Sequence, residues 1–279
     1  MQPSSPLNVH SIRSLSAAQA LGRRIELYDR IGSTNREAFA LAQQDVEHGT
    51  VVLADAQTEG RGRLARQWFS PPGVNLYCSV VIRKAPGADR LAEWLSWLPL
   101  MTALAAAESI ETVAGAPVLL KWPNDLLMGD RKIGGILCES GQAARSGPFQ
   151  VIGIGMNVNG DRDDFPQELR ESATTIRHET GRPVDRNRLL AQFLSELDVC
   201  VEELARQGSE RVALAYRRRC STIGKSVKAT LTDGGEFTGV AEAVGGDGSL
   251  TVVRHPLPAD GRPPEIQHFR VADIVHLRS

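Results

Sequence analysis

The chain is predicted to be a mixed α/β domain followed by a small all-β module, and three observations predict it. Strand-like and helix-like segments follow one another irregularly up to about residue 220, without a strict strand–helix–strand repeat. Beyond 220 the pattern changes to five short strands split by glycine- and proline-containing turns. The composition, 42% hydrophobic and 23% charged over 279 residues, allows one large core and a smaller appended unit.

Taken in order, residues 1–24 are polar and weakly patterned. IELYDRI (25–31) is a strand that runs into STNREAFALAQQ. There Thr34 and Glu37 have the spacing of a capping box, predicting a helix with Ala38, Leu41 and Ala42 inward. TVVLADAQ (50–57) is a short apolar strand. NLYCSVVIR (75–83) alternates, with Leu76, Cys78, Val80 and Ile82 on one face and Tyr77, Ser79 and Val81 on the other. Residues 89–114 form a long helical pattern, kinked or restarted near Pro99. VLLKWPND (118–125) is a strand leading into a turn; KIGGILCES (132–140) and FQVIGIGMNV (149–158) are strands separated by the turn-like GQAARSGP. Leu190, Phe193, Leu194, Leu197, Val201 and Leu204 mark an amphipathic helix from Asp185 to about Arg206, and a shorter one spans 210–219. SVKATL, EFTGVAEAV, SLTVVRH, EIQHFRV and DIVHL are the five closing strands, with a Pro-rich loop at 256–264.

Charge and cysteines exclude several function classes. Lys+Arg 32 against Asp+Glu 33 leaves a net charge of -1, so positive charge acts locally and not as a nucleic-acid-binding surface. Cys78, Cys138, Cys200 and Cys220 are scattered, without zinc or redox spacing, and read as reduced buried thiols. The N-terminus lacks the apolar run of a signal peptide, and no stretch reaches the roughly 18 apolar residues of a membrane span. A soluble, cytoplasmic protein is expected.

Chemistry concentrates in a few stretches. EGRGRLARQWFSPPG (59–73) combines glycines, which let backbone approach a ligand, with guanidiniums, which fork onto carboxylate or phosphate. It lacks the last glycine and following helix of a dinucleotide fingerprint. KWPNDLL (121–127) ends an apolar strand with a cation, an aromatic, a rigid turn and a carboxylate. DRKIGGIL (130–137) sends a lysine into a strand with two glycines, and GIGMNV (153–158) repeats glycines and an amide at a strand end. Each stretch alone is equally a solvated loop or a tight turn; their conjunction is specific.

Together GRGR at 60–63 with Arg66, Trp68 and the SPPGVNLY that follows, KWPNDLL, and RK-x-GGIL resemble the biotin protein ligases over roughly residues 26–279. Ser33-Thr34-Asn35 and GIGMNV stand in that family's order. The resemblance implies a class II synthetase-like catalytic domain over 25–220, a short N-terminal extension over 1–24 and an SH3-like C-terminal domain over 221–279. It implies attack of the biotin carboxylate on the α-phosphate of Mg·ATP, giving biotinyl-5′-adenylate, then transfer of biotin to a lysine of a biotin carboxyl carrier protein. ATP and Mg²⁺ are co-substrates in this scheme, with no permanently bound metal.

Carried over position by position, the resemblance places Ser33, Thr34, Asn35, Gln57, Gly60 and Arg61 at biotin. Lys132 stands between the biotin carboxylate and the α-phosphate, and Gly135 lets the backbone touch the ligand. Arg63 holds the adenylate; Arg66, Trp68 and Asn157 lie near the nucleotide. Lys121 supplies phosphate or acceptor-site electrostatics, and Asp125 organises Mg²⁺ or the incoming lysine.

Two departures stand out. The family's GRGRRGR loop is here GRGRLAR, with Leu64 for an arginine and Ala65 for a glycine. Only residues 1–24 precede the first core strand, too few for a winged-helix DNA-binding domain, so a monofunctional ligase without specific DNA binding is expected. Sheet-edge homodimers and monomers both suit such ligases. A lipoate- or octanoyl-type protein acyl ligase is the enzymatic alternative, and a nucleic-acid-binding regulator built on the arginine loop is the alternative of another class.

Overall fold

A seven-stranded mixed sheet forms the centre of the protein, described by a computed structural model over residues 5–83, 90–231, 234–254, 263–270 and 272–277. Its strands are β1 (Ile25–Ile31), β2 (Val51–Gln57), β3 (Leu76–Ile82), β4 (Leu119–Lys121), β5 (Asp125–Met128), β6 (Arg131–Ala143) and β7 (Gly147–Met156). They lie in the order β1-β2-β3-β7-β6-β5-β4. Only β1 and β2 pair in parallel, joined by the crossover helix α2 (Thr34–Gln43); the other neighbours are antiparallel.

The sheet is covered on both faces, so β3, read as alternating, is buried at all seven positions. Leu76, Cys78, Val80 and Ile82 pack with α3 (Leu91–Ala114) and α5 (Arg186–Gln207), while Val81 joins Ala38 and Ala42 of α2. Ser79 shares that second face and meets the N-terminus of α2. Helix α3 continues through Pro99 without a restart. The carbonyl that loses its donor is that of Leu95, on the helix side that keeps 37% exposure.

Three local expectations change. Residues 125–128 form a strand, not only a turn, because Asp125–Met128 doubles back on β4 and pairs with β6. β6 and β7 extend through most of GQAARSGP and close over residues 144–146, with Gly147 at φ 78 supplying the left-handed step. Ser33, not Thr34, is the N-cap of α2, because the Thr34 hydroxyl is drawn to Gln57 and Ser79.

The N-terminal stretch, read as polar and weakly patterned, carries α1 (Val9–Leu15) and is stitched to α5. Asn8 N–H donates to Asn187 Oδ1, Asn187 Nδ2 to the Pro6 carbonyl, and the Gln19 and Ala20 amides to Asp198 Oδ2. Ile12 is fully buried beneath it. After α4 (Ile176–Thr180), α5 and α6 (Glu210–Arg219), the closing strands form a five-stranded antiparallel sheet. They are β8 (Ser226–Thr230), β9 (Glu236–Val244), β10 (Leu250–Arg254), β11 (Ile266–Phe269) and β12 (Asp273–His276). The Pro-rich stretch 256–264 falls mostly outside the described residues.

Trp97 and Trp122 donate their indole N–H to the carbonyls of Gly246 and Gly248, locking the β9–β10 turn onto the main unit. All four cysteines are free; burial pushes the thiols of Cys78, Cys138 and Cys200 up to about 12, so they stay protonated. No helix among the described residues is long and apolar enough to cross a membrane.

Candidate functional site

A cavity of about 1100 Å³ opens where the C-terminal ends of β2 and β4, the middle of β6, the end of β7 and the edge of the second sheet converge. Its head end is a chain of hydrogen bonds at the start of α2. Thr34 N–H donates to Gln57 Oε1 (2.9 Å), Gln57 Nε2 donates to Ser70 Oγ (3.1 Å), and Ser70 Oγ donates to the Trp68 carbonyl (3.0 Å). Ser33, 3% exposed, lines the cavity with a hydroxyl that makes no capping bond. Asn35 gives both amide protons to the Leu137 carbonyl (3.1 Å) and Glu139 Oε2 (2.9 Å), and takes Ser79 Oγ–H on Oδ1 (2.6 Å). Its amide fits only because residue 153 is glycine: a Cβ there would sit 1.9 Å from Asn35 Oδ1. Arg61 also lines the cavity and lies 3.4 Å from Glu139 Oε1.

The other end is cationic. Lys132 Nζ lies 2.5 Å from Asp125 Oδ1 and 5.4 Å from the centroid of the Trp68 ring. Two backbone bonds to the 172–174 segment hold Lys132 in place, its N–H to the Ser172 carbonyl and its carbonyl to the Thr174 N–H. A Cβ at Gly135 would sit 3.2 Å from Lys132 Cε and 3.3 Å from Trp68 Cζ3, so this glycine makes room for those two side chains. The Trp68 indole lies against Gly155, where a Cβ would come within 2.4 Å of Nε1, and that N–H is buried without a partner. Lys121 is held below its usual pKa by burial, against the opposing pull of Asp125. Asn157 donates from Nδ2 to the Thr174 carbonyl and so anchors the same segment.

Between these ends the arginine loop is a tight hairpin. Arg61 pairs with Gln67, Gly62 N–H donates to the Arg66 carbonyl (2.8 Å), and Arg66 N–H closes a four-residue turn on the Arg63 carbonyl (3.1 Å). The central residues Leu64 and Ala65 have φ 53 and 56, the mirror-image turn that favours Asn-Gly. Gly60 closes the base of this hairpin, since a Cβ would meet the Trp68 carbonyl at 2.5 Å; it does not itself line the cavity. Arg63 donates to Asn124 Oδ1 (2.9 Å) and the Ala272 carbonyl (3.1 Å), and Arg66 grips Asp273 at 2.6 and 3.3 Å. Both arginines thus face the second sheet as well as the cavity.

All the sequence-predicted site residues except Gly60 therefore meet on one cavity. Sequence reasoning missed Ser79 and Glu139 behind the head end, Asn124 holding Arg63, and the Phe165–Ala173 wall. It also missed Lys225, Ser226 and His276, which the second sheet contributes. Ser79 carried one signal, a hydroxyl in the Tyr77–Val81 row of an otherwise apolar strand. Asp125, the carboxylate expected at Mg²⁺, is engaged by Lys132, and no three His, Cys, Asp or Glu side chains among the described residues converge to hold a metal.

A mixed sheet with a closing β module frames one cavity, polar at one end and cationic at the other, that suits a ligand with a neutral polar head and an anionic group. Residues 27–159 match the Biotin/lipoate A/B protein ligase family. A biotin--[acetyl-CoA-carboxylase] ligase of Mycobacterium tuberculosis is 32% identical over 278 residues, 98% of this chain and 97% of that one. The bifunctional ligase/repressor BirA of Bacillus spizizenii is 32% identical over 88% of this chain and 74% of its own. A solved biotin protein ligase from Aquifex aeolicus, in complex with biotin and ATP, superposes with a TM-score of 0.75 at 27% identity, over 92% of this chain and all of that one. The chain belongs to the biotin protein ligase family.

Proposed function

We propose that this chain is an ATP-dependent biotin protein ligase that forms biotinyl-5′-adenylate and passes the biotinyl group to a lysine of a carrier domain. The observation that supports it best is the arrangement along one cavity: a neutral hydrogen-bonding head at Ser33, Thr34 and Gln57, joined through Trp68 to Lys132. A ureido ring offers two N–H donors and one carbonyl, which neutral hydroxyls and amides can match without burying a charge.

In the first half-reaction a biotin carboxylate oxygen attacks the α-phosphorus and pyrophosphate leaves. Two anions must approach, and Lys132 is the cation we assign between them. A unit charge about 4 Å away at an effective dielectric near 20 is worth roughly 4 kcal/mol, enough to decide the approach. At rest Asp125 neutralises Lys132; the incoming anions take over its ammonium and release the carboxylate. In the second half-reaction the acceptor amine attacks the acyl carbonyl, AMP departs, and the amine proton is lost. The freed Asp125 is placed to orient that amine, and Lys121 lowers the local negative charge. Arg63, Arg66 and the buried Trp68 N–H are the donors we assign to the nucleotide. Magnesium enters on the nucleotide phosphates as substrate, and no step is routed through it.

We further assign residues 25–220 to the catalytic domain and 221–279 to the C-terminal domain. Residues 5–24 count with the catalytic unit because α1 packs on α5. Exchange of labelled pyrophosphate into ATP tests the reading: biotin should drive it, and exchange driven by lipoate or octanoate but not by biotin overturns it.

A further inference from the structure

The head-end network has a fixed direction, and that direction follows from two acceptors behind Asn35, the Leu137 carbonyl and Glu139, of which Glu139 lies outside the cavity lining. Glu139 Oε2 and the Leu137 carbonyl can only accept, so Asn35 must turn both amide protons toward them and its Oδ1 toward Ser79. Ser79 has one proton, and Oδ1 at 2.6 Å takes it. The contact of 2.9 Å between Ser79 and Thr34 is then a bond only if Thr34 donates. The alternative partner of the Thr34 hydroxyl, Gln57 Oε1 at 3.2 Å, is also an acceptor, because the Thr34 N–H already fixes the Gln57 amide. Either way the Thr34 proton is taken up by the protein, by Ser79 or by Gln57, and Thr34 keeps lone-pair capacity for a ligand donor.

We propose that Asn35, held by Glu139, is a positioning residue that sets the polarity of the head pocket: it makes Thr34 an acceptor for a ring N–H of the ligand. Asn35 is 5% exposed with its donors spent, and Glu139 lies outside the cavity wall, so neither acts as a ligand contact. With Asn35 turned over, Ser79 would accept from it and donate to Thr34, occupying a Thr34 lone pair that the ligand N–H needs and leaving the Thr34 proton to Gln57 or to the ligand. Among the described residues Arg61 is the one cation in ion-pair contact with Glu139; the nearby Arg36 and Glu59 pair with each other. The proposal rests on the reading that biotin occupies this cavity with its ureido ring at Thr34.

The test is biotin binding and adenylation by purified full-length variants across pH. Asn35→Asp puts a second carboxylate oxygen against Glu139, so the pair must share a proton for the network to survive. Its biotin affinity should be about tenfold weaker at about pH 8 than at about pH 6, with wild type flat within about twofold. Adding Glu139→Gln, whose amide donates to the introduced carboxylate, should abolish that dependence. Glu139→Ala alone should raise KM for biotin about tenfold with kcat and KM for ATP within about twofold, and Glu139→Gln, still able to accept, should recover most of it. An Asn35→Asp profile as flat as wild type overturns the proposal. If Asn35→Asp does not fold, the Glu139 pair decides, and equal KM for Ala, Gln and wild type overturns it. Wild type that fails to bind biotin overturns the functional reading instead, and with it this proposal.

Discussion

Replacing Ala65 by glycine should tighten the grip of the arginine hairpin on its ligand. Leu64 and Ala65 occupy both central positions of a turn whose φ values, 53 and 56, suit Asn-Gly. A side chain in the left-handed region costs about 1–2 kcal/mol, whereas the extra freedom of glycine in the open loop costs about 0.5–1 kcal/mol. The difference leaves a net gain of about 0.5–1 kcal/mol in favour of the hairpin, or about two- to fivefold in its closed population. That gain acts where Arg63 and Arg66 reach Asn124, Ala272 and Asp273. The assay is the dissociation rate of preformed biotinyl-adenylate by stopped flow, alongside hydrogen exchange at the Gly62 and Arg66 amides, whose bonds close the turn. Ala65→Gly should slow both by about two- to fivefold, and Leu64→Asn should act in the same direction because asparagine tolerates this backbone. Leu64→Arg restores a charge without relieving the turn, so it should slow adenylate release without protecting the amides. Faster release from Ala65→Gly, or rates and exchange identical to wild type, would refute the strain argument.

Lys132→Ala should lower the rate of adenylation by about 10²–10³ while the melting temperature stays close to wild type, since its ammonium meets Asp125 in a partly exposed site; near-normal adenylation contradicts the role assigned to it. Gly155→Ala forces the Trp68 ring off β7, because the new Cβ would lie 2.4 Å from Nε1, and should abolish any ligand-induced change in tryptophan fluorescence and raise KM for ATP. His276 is held below its usual pKa chiefly by burial and further by Lys121 and Lys225. The unfolded chain therefore binds this proton more readily, and stability should fall as pH drops below about 6.5. His276→Gln should flatten that part of the pH–stability curve; an unchanged slope in thermal melts would exclude the residue as its source.

Much of the fold was legible because its signals were local. β1, α2, β2, α5 and α6 fall where period and caps place them, and the change of pattern near 220 marks the second sheet. What escaped depended on distant partners. α1 has one fully buried residue, Ile12, and the chain on either side of it is tied by polar bonds to Asn187 and Asp198, which leave no apolar period to read. β5 is too short to show alternation and exists because β4 and β6 flank it. In the site, motifs identified most of the charged and glycine residues around the cavity but neither the wall at Phe165–Ala173, the residues from the second sheet, nor the side chains that hold the motif residues in place. Glu139 and Asn124 are ordinary polar residues in sequence, and only the packing of β6 against α2 and the hairpin shows what they hold. Glycines were the reverse case: Gly135 read as a ligand-approach position and Gly153 and Gly155 as glycines at a strand end, and each clears space for a side chain of the site.

The central claim is tested most directly by transfer of labelled biotin to the lysine of a purified biotin carboxyl carrier domain, with and without ATP. The account predicts labelling of that lysine only when biotin, Mg·ATP and enzyme are all present, AMP released in equal amount, and loss of labelling with Lys132→Ala. Labelling independent of ATP, or an unlabelled carrier domain that instead accepts lipoate or octanoate, would contradict it.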